Sequence, residues 1–172
     1  LQINDTYFDE IDTEEKAYLL GFLVADGCCR LEKRKTHFTK RIAFNNTIDD
    51  KEAIEAMHNA ICPQSSLLIK HYTFNRRKKP QYTLQWTSPY MFDKLGSKYN
   101  IKPHKTLDKK FFIPDGTIPD ELWRHFIRGY FDGDGHIGFN SLEFIFTSEP
   151  FMNQVLETFK NFTYRIYHVQ GK

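Results

Sequence analysis

Ile127-Arg128-Gly129-Tyr130-Phe131-Asp132-Gly133-Asp134-Gly135 decides the fold, because it has a twin at Leu19-Leu20-Gly21-Phe22-Leu23-Val24-Ala25-Asp26-Gly27. Both stretches read as the end of a helix. Small residues stand four apart in each, Gly21 and Ala25 in one, Gly129 and Gly133 in the other. That spacing places them on one helical face. A face without side chains lets two helix backbones approach closely, a purely steric effect. Each stretch then closes on Asp-Gly. Gly27 and Gly135 are expected in the left-handed turn that ends a helix. Asp26 and Asp134 therefore stand at helix C-termini, where the helix dipole disfavours a carboxylate. If the two helices pack together, two carboxylates meet. Folding alone gives no reason for that, whereas a hard divalent cation would take their oxygens.

These stretches resemble the paired motifs of the LAGLIDADG homing endonucleases. Glycine at the third place, acid at the eighth and glycine at the ninth match in both copies. The sixth place is Asp132 in the second copy and Val24 in the first, a departure that leaves the eighth-place acids intact. The resemblance implies an α+β fold, a duplicated αββαββα arrangement about a pseudo-twofold axis, with the second repeat incomplete. It implies a site-specific double-strand DNA endonuclease that hydrolyses phosphodiester bonds with divalent metal. Asp26 and Asp134 would be the metal ligands and catalytic acids, with Gly27 and Gly135 beside them at the metal. The metal would be magnesium, with manganese able to substitute and calcium binding without cleavage. A lysine between the repeats approaches the scissile phosphates in this family; Lys102 and Lys105 are the candidates, and Lys105 is preferred.

Composition sets the bounds. The chain has 172 residues, 40% hydrophobic and 16% aromatic, which fits a globular chain and not a disordered one. No apolar run approaches the ~20 residues that span a membrane. The first residues carry no signal-peptide pattern, and Cys28, Cys29 and Cys62 fit no zinc spacing. Free thiols and an intracellular location are the expectation. Net charge is only +2, so affinity for nucleic acid must come from local patches.

Such patches exist. Asp12 is expected to cap the first helix, with Glu15 reaching back. After that helix, Arg30, Lys33, Arg34, Lys35, Lys40 and Arg41 interleave with Leu31, Phe38, Ile42 and Phe44, which predicts two antiparallel strands turning near Lys35–His37. A run of charge is ordinarily a solvated face; beside the motif it reads as a nucleic-acid face. A helix from Asp49 to Ala60 follows, ended by Pro63. Leu67–Tyr72 and Gln81–Thr87 form a second strand pair, joined by a basic tip at Asn75–Pro80. Lys70, Arg76, Arg77, Lys78 and Lys79 are candidate phosphate contacts, and Gln81 a candidate for base edges. Ser88 to Leu95 is a short helix closed by Gly96.

The second copy repeats this grammar. Pro119 is placed at the first turn of the second motif helix, His136–Phe139 and Leu142–Thr147 are strands, Ser148–Phe159 a helix and Thr163–Val169 a further strand. The expected division is residues 1–104 for the first repeat, 105–118 for a linker and 119–172 for the second. From Asp26 to Asp134 is 108 positions, a plausible duplication. Double-stranded DNA is the expected partner, with a monomer if the second repeat is complete and a dimer otherwise. A rival on the same scaffold is a DNA- or RNA-binding protein without nuclease activity, a maturase or a regulator. A second rival, a generic interaction module in which GDGDG is a calcium-binding or tight-turn accident, fits the strand pairs and basic tips poorly.

Overall fold

The computed structural model describes residues 2–65, 68–74 and 77–168; for 68–74 and 77–80 it describes the backbone. The elements run α1 (Glu14–Asp26), β1 (Cys28–Lys33), β2 (Phe38–Thr47), α2 (Lys51–Ile61), β3 (Leu68–Phe74), β4 (Arg77–Thr87), α3 (Pro89–Tyr99), α4 (Asp120–Asp134), β5 (Gly135–Ile137), β6 (Leu142–Phe144) and α5 (Glu149–Thr158). The order αββαββα thus occurs once in full, then again as αββα. Among the described residues no helix is long and apolar enough to cross a membrane.

β1 to β4 form an antiparallel sheet in the order β1-β2-β4-β3. Alternation sorts its side chains onto two faces. Ile42, Phe44, Leu84 and Trp86 are buried against α1, α2 and α3. Phe44 anchors this layer, with its ring between Phe22 of α1, 5.5 Å away, and Trp86, 6.2 Å away. Among the described residues no helix covers the opposite face. There Arg30 stands opposite Arg41, and Ala43 opposite Gln85.

α1 and α4 pack against each other along their glycines, as the motif spacing predicts. A Cβ at Gly21 would stand 1.9 Å from the Phe126 carbonyl oxygen, and one at Gly129 1.9 Å from that of Tyr18. The contact is therefore backbone to backbone, and nothing larger than glycine fits at either crossing.

Several local expectations are corrected. Thr13, not Asp12, caps α1, its hydroxyl accepting from Lys16 N at 3.2 Å; Asp12 instead pairs with Lys16 Nζ at 2.7 Å, and Glu15 accepts from Tyr7 Oη. Gly27 and Gly135 are not left-handed. Their φ angles are −71° and −100°, in extended backbone leading straight into β1 and β5. They are glycines for want of room: a Cβ would lie 2.6 Å from Leu23 O in one and 2.2 Å from the Phe131 ring in the other. α3 runs through Gly96 to Tyr99 and is closed by the left-handed Asn100, φ 58°. Pro119 precedes α4 as its cap residue and is not in its first turn.

The basic tip is narrower than expected. Arg77–Pro80 are already paired in β4, with Phe74 opposite Arg77 and His71 opposite Pro80, while Arg76 lies outside the described residues. The second sheet is smaller than expected too, with β5 and β6 three residues each. Residues 163–168 form no strand and are exposed; Val169 lies outside the described residues. The reason is pairing. In the first sheet β3 is hydrogen-bonded to β4, and among the described residues no second-copy counterpart of β4 stands beside residues 163–168.

Candidate active site and nucleic-acid face

The acids meet. At the C-terminal end of the α1–α4 contact a Cβ on Gly133 would lie 2.5 Å from Ala25 Cβ and 3.0 Å from Asp26 Oδ2. The bare backbone of Gly133 is what lets α4 close on the Asp26 carboxylate. Asp134 follows it directly. Both carboxylates are half-buried. Burial pushes the Asp26 carboxyl up to about 6, with Asp134 and Asp50 pushing the same way and the Asn46 hydrogen bond and Lys105 opposing. Burial likewise raises Asp134, against the opposing pull of Lys105 and of the Tyr130 hydroxyl. Two neighbouring acids are thus held where each resists ionisation.

Lys105 lies with them. Its ammonium donates to the Ala25 carbonyl oxygen at 3.2 Å and is drawn by Asp134 and Asp26. Burial lowers its affinity for a proton, and the two carboxylates raise it. The Lys102 side chain is exposed and forms no hydrogen bond or ion pair among the described residues. Of the two lysines singled out between the repeats, the structure places Lys105 at the acid pair.

Asp26 has a further partner on β2. Asn46 Nδ2 donates to Asp26 Oδ2 at 2.6 Å and to Asp50 Oδ2 at 3.2 Å. Neither Asn46 nor Asp50 stands out as a site residue in the sequence. The signal that would have found Asn46 is alternation: Ile42, Phe44 and Asn46 share the helix-covered face, and a carboxamide there is out of keeping with its neighbours. Asp132, two residues before Asp134, accepts from Tyr18 Oη at 2.8 Å and ties α4 to α1 away from the acid pair.

The basic residues divide by face. Arg30 and Arg41 lie on the uncovered face. Arg41 is braced by Glu32 at 3.5 Å and by Gln85 Oε1 at 3.2 Å; Glu32 also holds Arg34 at 2.9 Å. Gln81 stands on the same face, opposite Thr47. Lys35 is exposed in the turn between β1 and β2. Lys33 and Lys40 fall on the other face by alternation. Lys40 is turned to α3, paired with Asp93, because an apolar sheet face beside a helix offers an ammonium no other acceptor. It is therefore not part of the uncovered basic surface. In the second hairpin the backbone pairs Lys70 with Gln81, Lys78 with Thr73 and Lys79 with Tyr72.

Among the described residues no group of three or more His, Cys, Asp or Glu is arranged to hold a metal ion. The acid pair itself suits one. Its donors are hard carboxylate oxygens, and a cation between them would offset the burial that raises both carboxyls and the repulsion by Asp134 that adds to it at Asp26. Residues 121–172 match the family described as "LAGLIDADG-like domain". The match begins in α4 and includes Asp134. The fold of the chain is similar to that of the homing endonuclease I-WcaI bound to its DNA recognition sequence, with a TM-score of 0.54 at 14% identity over 89% of this chain and 69% of that one. It is also similar to mesophilic variants of the homing endonuclease I-DmoI, with a TM-score of 0.46 at 15% identity over 75% of this chain and 66% of that one. A further I-DmoI variant, solved with its nicked target DNA in the presence of manganese, gives 0.45 at 15% identity over 75% and 65%. The chain thus spans about two thirds of the length of the I-DmoI chains. Comparison with curated protein sequences finds no match.

Proposed function

We propose that this LAGLIDADG protein is a site-specific DNA endonuclease that cuts both strands of a duplex with a divalent metal, magnesium in the cell. The repeats would be residues 1–104 and 119–172, joined by 105–118. The observation that carries the reading is the meeting of Asp26 and Asp134 at the end of a glycine-lined helix contact, with Lys105 beside them. A nonfunctional fold gains nothing from putting two acids and an ammonium there, since each resists its charge.

Asp26 and Asp134 would hold the metal. Bound metal would supply an activated water and neutralise charge at phosphorus. The remaining work falls to side chains of this chain. Lys105 offsets negative charge at the acid pair and offers an ammonium to a phosphate oxygen. Arg30 and Arg41, on the face no helix covers, hold the duplex by its backbone or read guanine edges. Glu32 and Gln85 brace Arg41, which lowers the entropy lost when it meets a partner.

The test is a randomised duplex library incubated with the protein in magnesium, with cut ends recovered and sequenced. Recovery of one site, cut in both strands in magnesium but not in EDTA, is expected. Retarded DNA in a gel shift with no strand broken in magnesium or manganese would replace this reading with that of a binding protein, a maturase or a regulator.

A further inference from the structure

The two carboxylates have different neighbours, and the sheet register shows why. In the first sheet Cys28 pairs with Ala43, so continuing the ladder sets Asp26 opposite Asn45. In the second, Gly135 pairs with Phe144, and Ile145 N donates to Asp134 O at 3.2 Å, continuing that ladder by one residue. The counterpart of Asn46 is therefore Phe146. It carries no donor; its ring stacks on Tyr130 at 5.6 Å and on Phe144 at 5.8 Å. On the helix side the exchange runs the other way. Four residues before Asp26 stands Phe22, and four before Asp134 stands Tyr130, whose hydroxyl reaches Asp134 but also donates to Ile145 O at 2.6 Å.

Asn46 is placed at some cost. It is 94% buried on the complement of its 6% exposure, and its Oδ1 has no hydrogen-bond partner. A buried carbonyl without a donor destabilises the fold. Its Nδ2 is shared between two carboxylates, Asp26 and Asp50. Apolar packing, as at Phe146, would serve the core better. What the amide gains is a fixed Asp26: Oδ2 is held, and Oδ1 is the oxygen left for a ligand.

We propose that Asn46, itself oriented by Asp50, is a positioning residue for Asp26 alone, so that the two carboxylates are inequivalent and each responds separately to change. This rests on the endonuclease reading for its consequence in strand cutting, but not for its consequence in cation binding.

Two measurements test it on the full chain. The first is terbium luminescence, with terbium as a hard trivalent probe of oxygen ligands. Wild type is expected to show two classes of site. Asn46→Leu, close in volume but without the amide, should weaken one class by about tenfold to a hundredfold and leave the other, the range for loss of a ligand's orienting partner. Asn46→Gln should restore it in part. The second is cleavage of the selected duplex labelled on one strand at a time. Asn46→Leu should slow one strand by the same order and spare the other, so that nicked DNA accumulates. Equal slowing of both strands, or equal weakening of both terbium classes, would reduce Asn46 to a general packing role and overturn the proposal. Should wild type cut neither strand while the terbium classes still separate, the endonuclease reading falls and the assignment of Asn46 stands. Should Asn46→Leu lose cooperative unfolding, Asp50→Ala serves in its place: a several-fold effect confined to the same class is expected, and behaviour identical to wild type overturns the proposal.

Discussion

A carboxyl group that burial pushes up to about 6 is one the fold holds more easily neutral than charged. The sign of the consequence is fixed. Protonation of Asp26 stabilises the folded chain; that contribution is complete below the ordinary value of 3.8 and is lost as pH rises through about 6. Asp26→Asn removes the penalty. In EDTA the variant should exceed wild type in stability by on the order of 1 kcal/mol above pH 6, a discounted figure because the carboxylate keeps some access to water. The advantage should shrink toward zero near pH 4. Urea unfolding at both pH values measures it, and an equal advantage at both would show that burial of charge is not its origin. The same substitution should abolish strand cutting, so that stability and activity move in opposite directions at one side chain. Asp26 and Asp134 were legible in the sequence because they follow a small-residue stripe. Asn46 was not, because what gives it meaning is a contact with a residue twenty positions away across a helix–strand boundary.

At the scale of elements, α1 and α4 were legible because steric demand leaves a mark in sequence: Gly21 and Gly129 are spaced for one face. Gly21→Ala and Gly129→Ala should each destabilise the fold by about 3 kcal/mol or more, since the added methyl meets carbonyl oxygens that cannot rotate away. Denaturant midpoints decide this; a loss under about 1 kcal/mol would mean that the helices are not in backbone contact. Gly96 makes the contrast. It lies inside α3, and a Cβ there finds nothing nearer than 3.8 Å. Gly96→Ala should stabilise by about 0.5–1 kcal/mol, the helix-interior difference between the two residues. Three other positions, Gly96, Gly27 and Gly135, show why sequence reading failed in places. A glycine four residues into a helical pattern reads equally as a contact, a stop or an accident. At Gly96 the stop was the natural inference, yet Asn100 takes the left-handed turn. At Gly27 and Gly135 the left-handed turn was natural, yet close approach to Leu23 and Phe131 is what excludes a side chain.

At the scale of the molecule the two halves are unequal. The first sheet has four strands under three helices, and the second has two short strands. Where the first half buries Phe44, Leu84 and Trp86, the second leaves apolar side chains in water. Ile137 is 70% exposed, Leu142 64%, Ile145 64% and Phe139 wholly so. Alternation placed all four in strands, which holds for Ile137 in β5 and Leu142 in β6 and not for Phe139 and Ile145; their exposure was not legible, because burial depends on neighbours and not on pattern. Clustered apolar side chains of this kind bind hydrophobic dyes and promote association. The chain should therefore enhance 1-anilinonaphthalene-8-sulfonate fluorescence under native conditions. Replacing Ile137 and Phe139 together by Thr and Ser should remove most of that enhancement while shifting the unfolding midpoint by less than about 0.5 kcal/mol, since side chains standing in water have little packing to lose. Dye binding that persists in the double variant would place the accessible apolar surface elsewhere. A large loss of stability would mean that these side chains are buried in solution, and that the second half is covered by more than β5, β6 and α5.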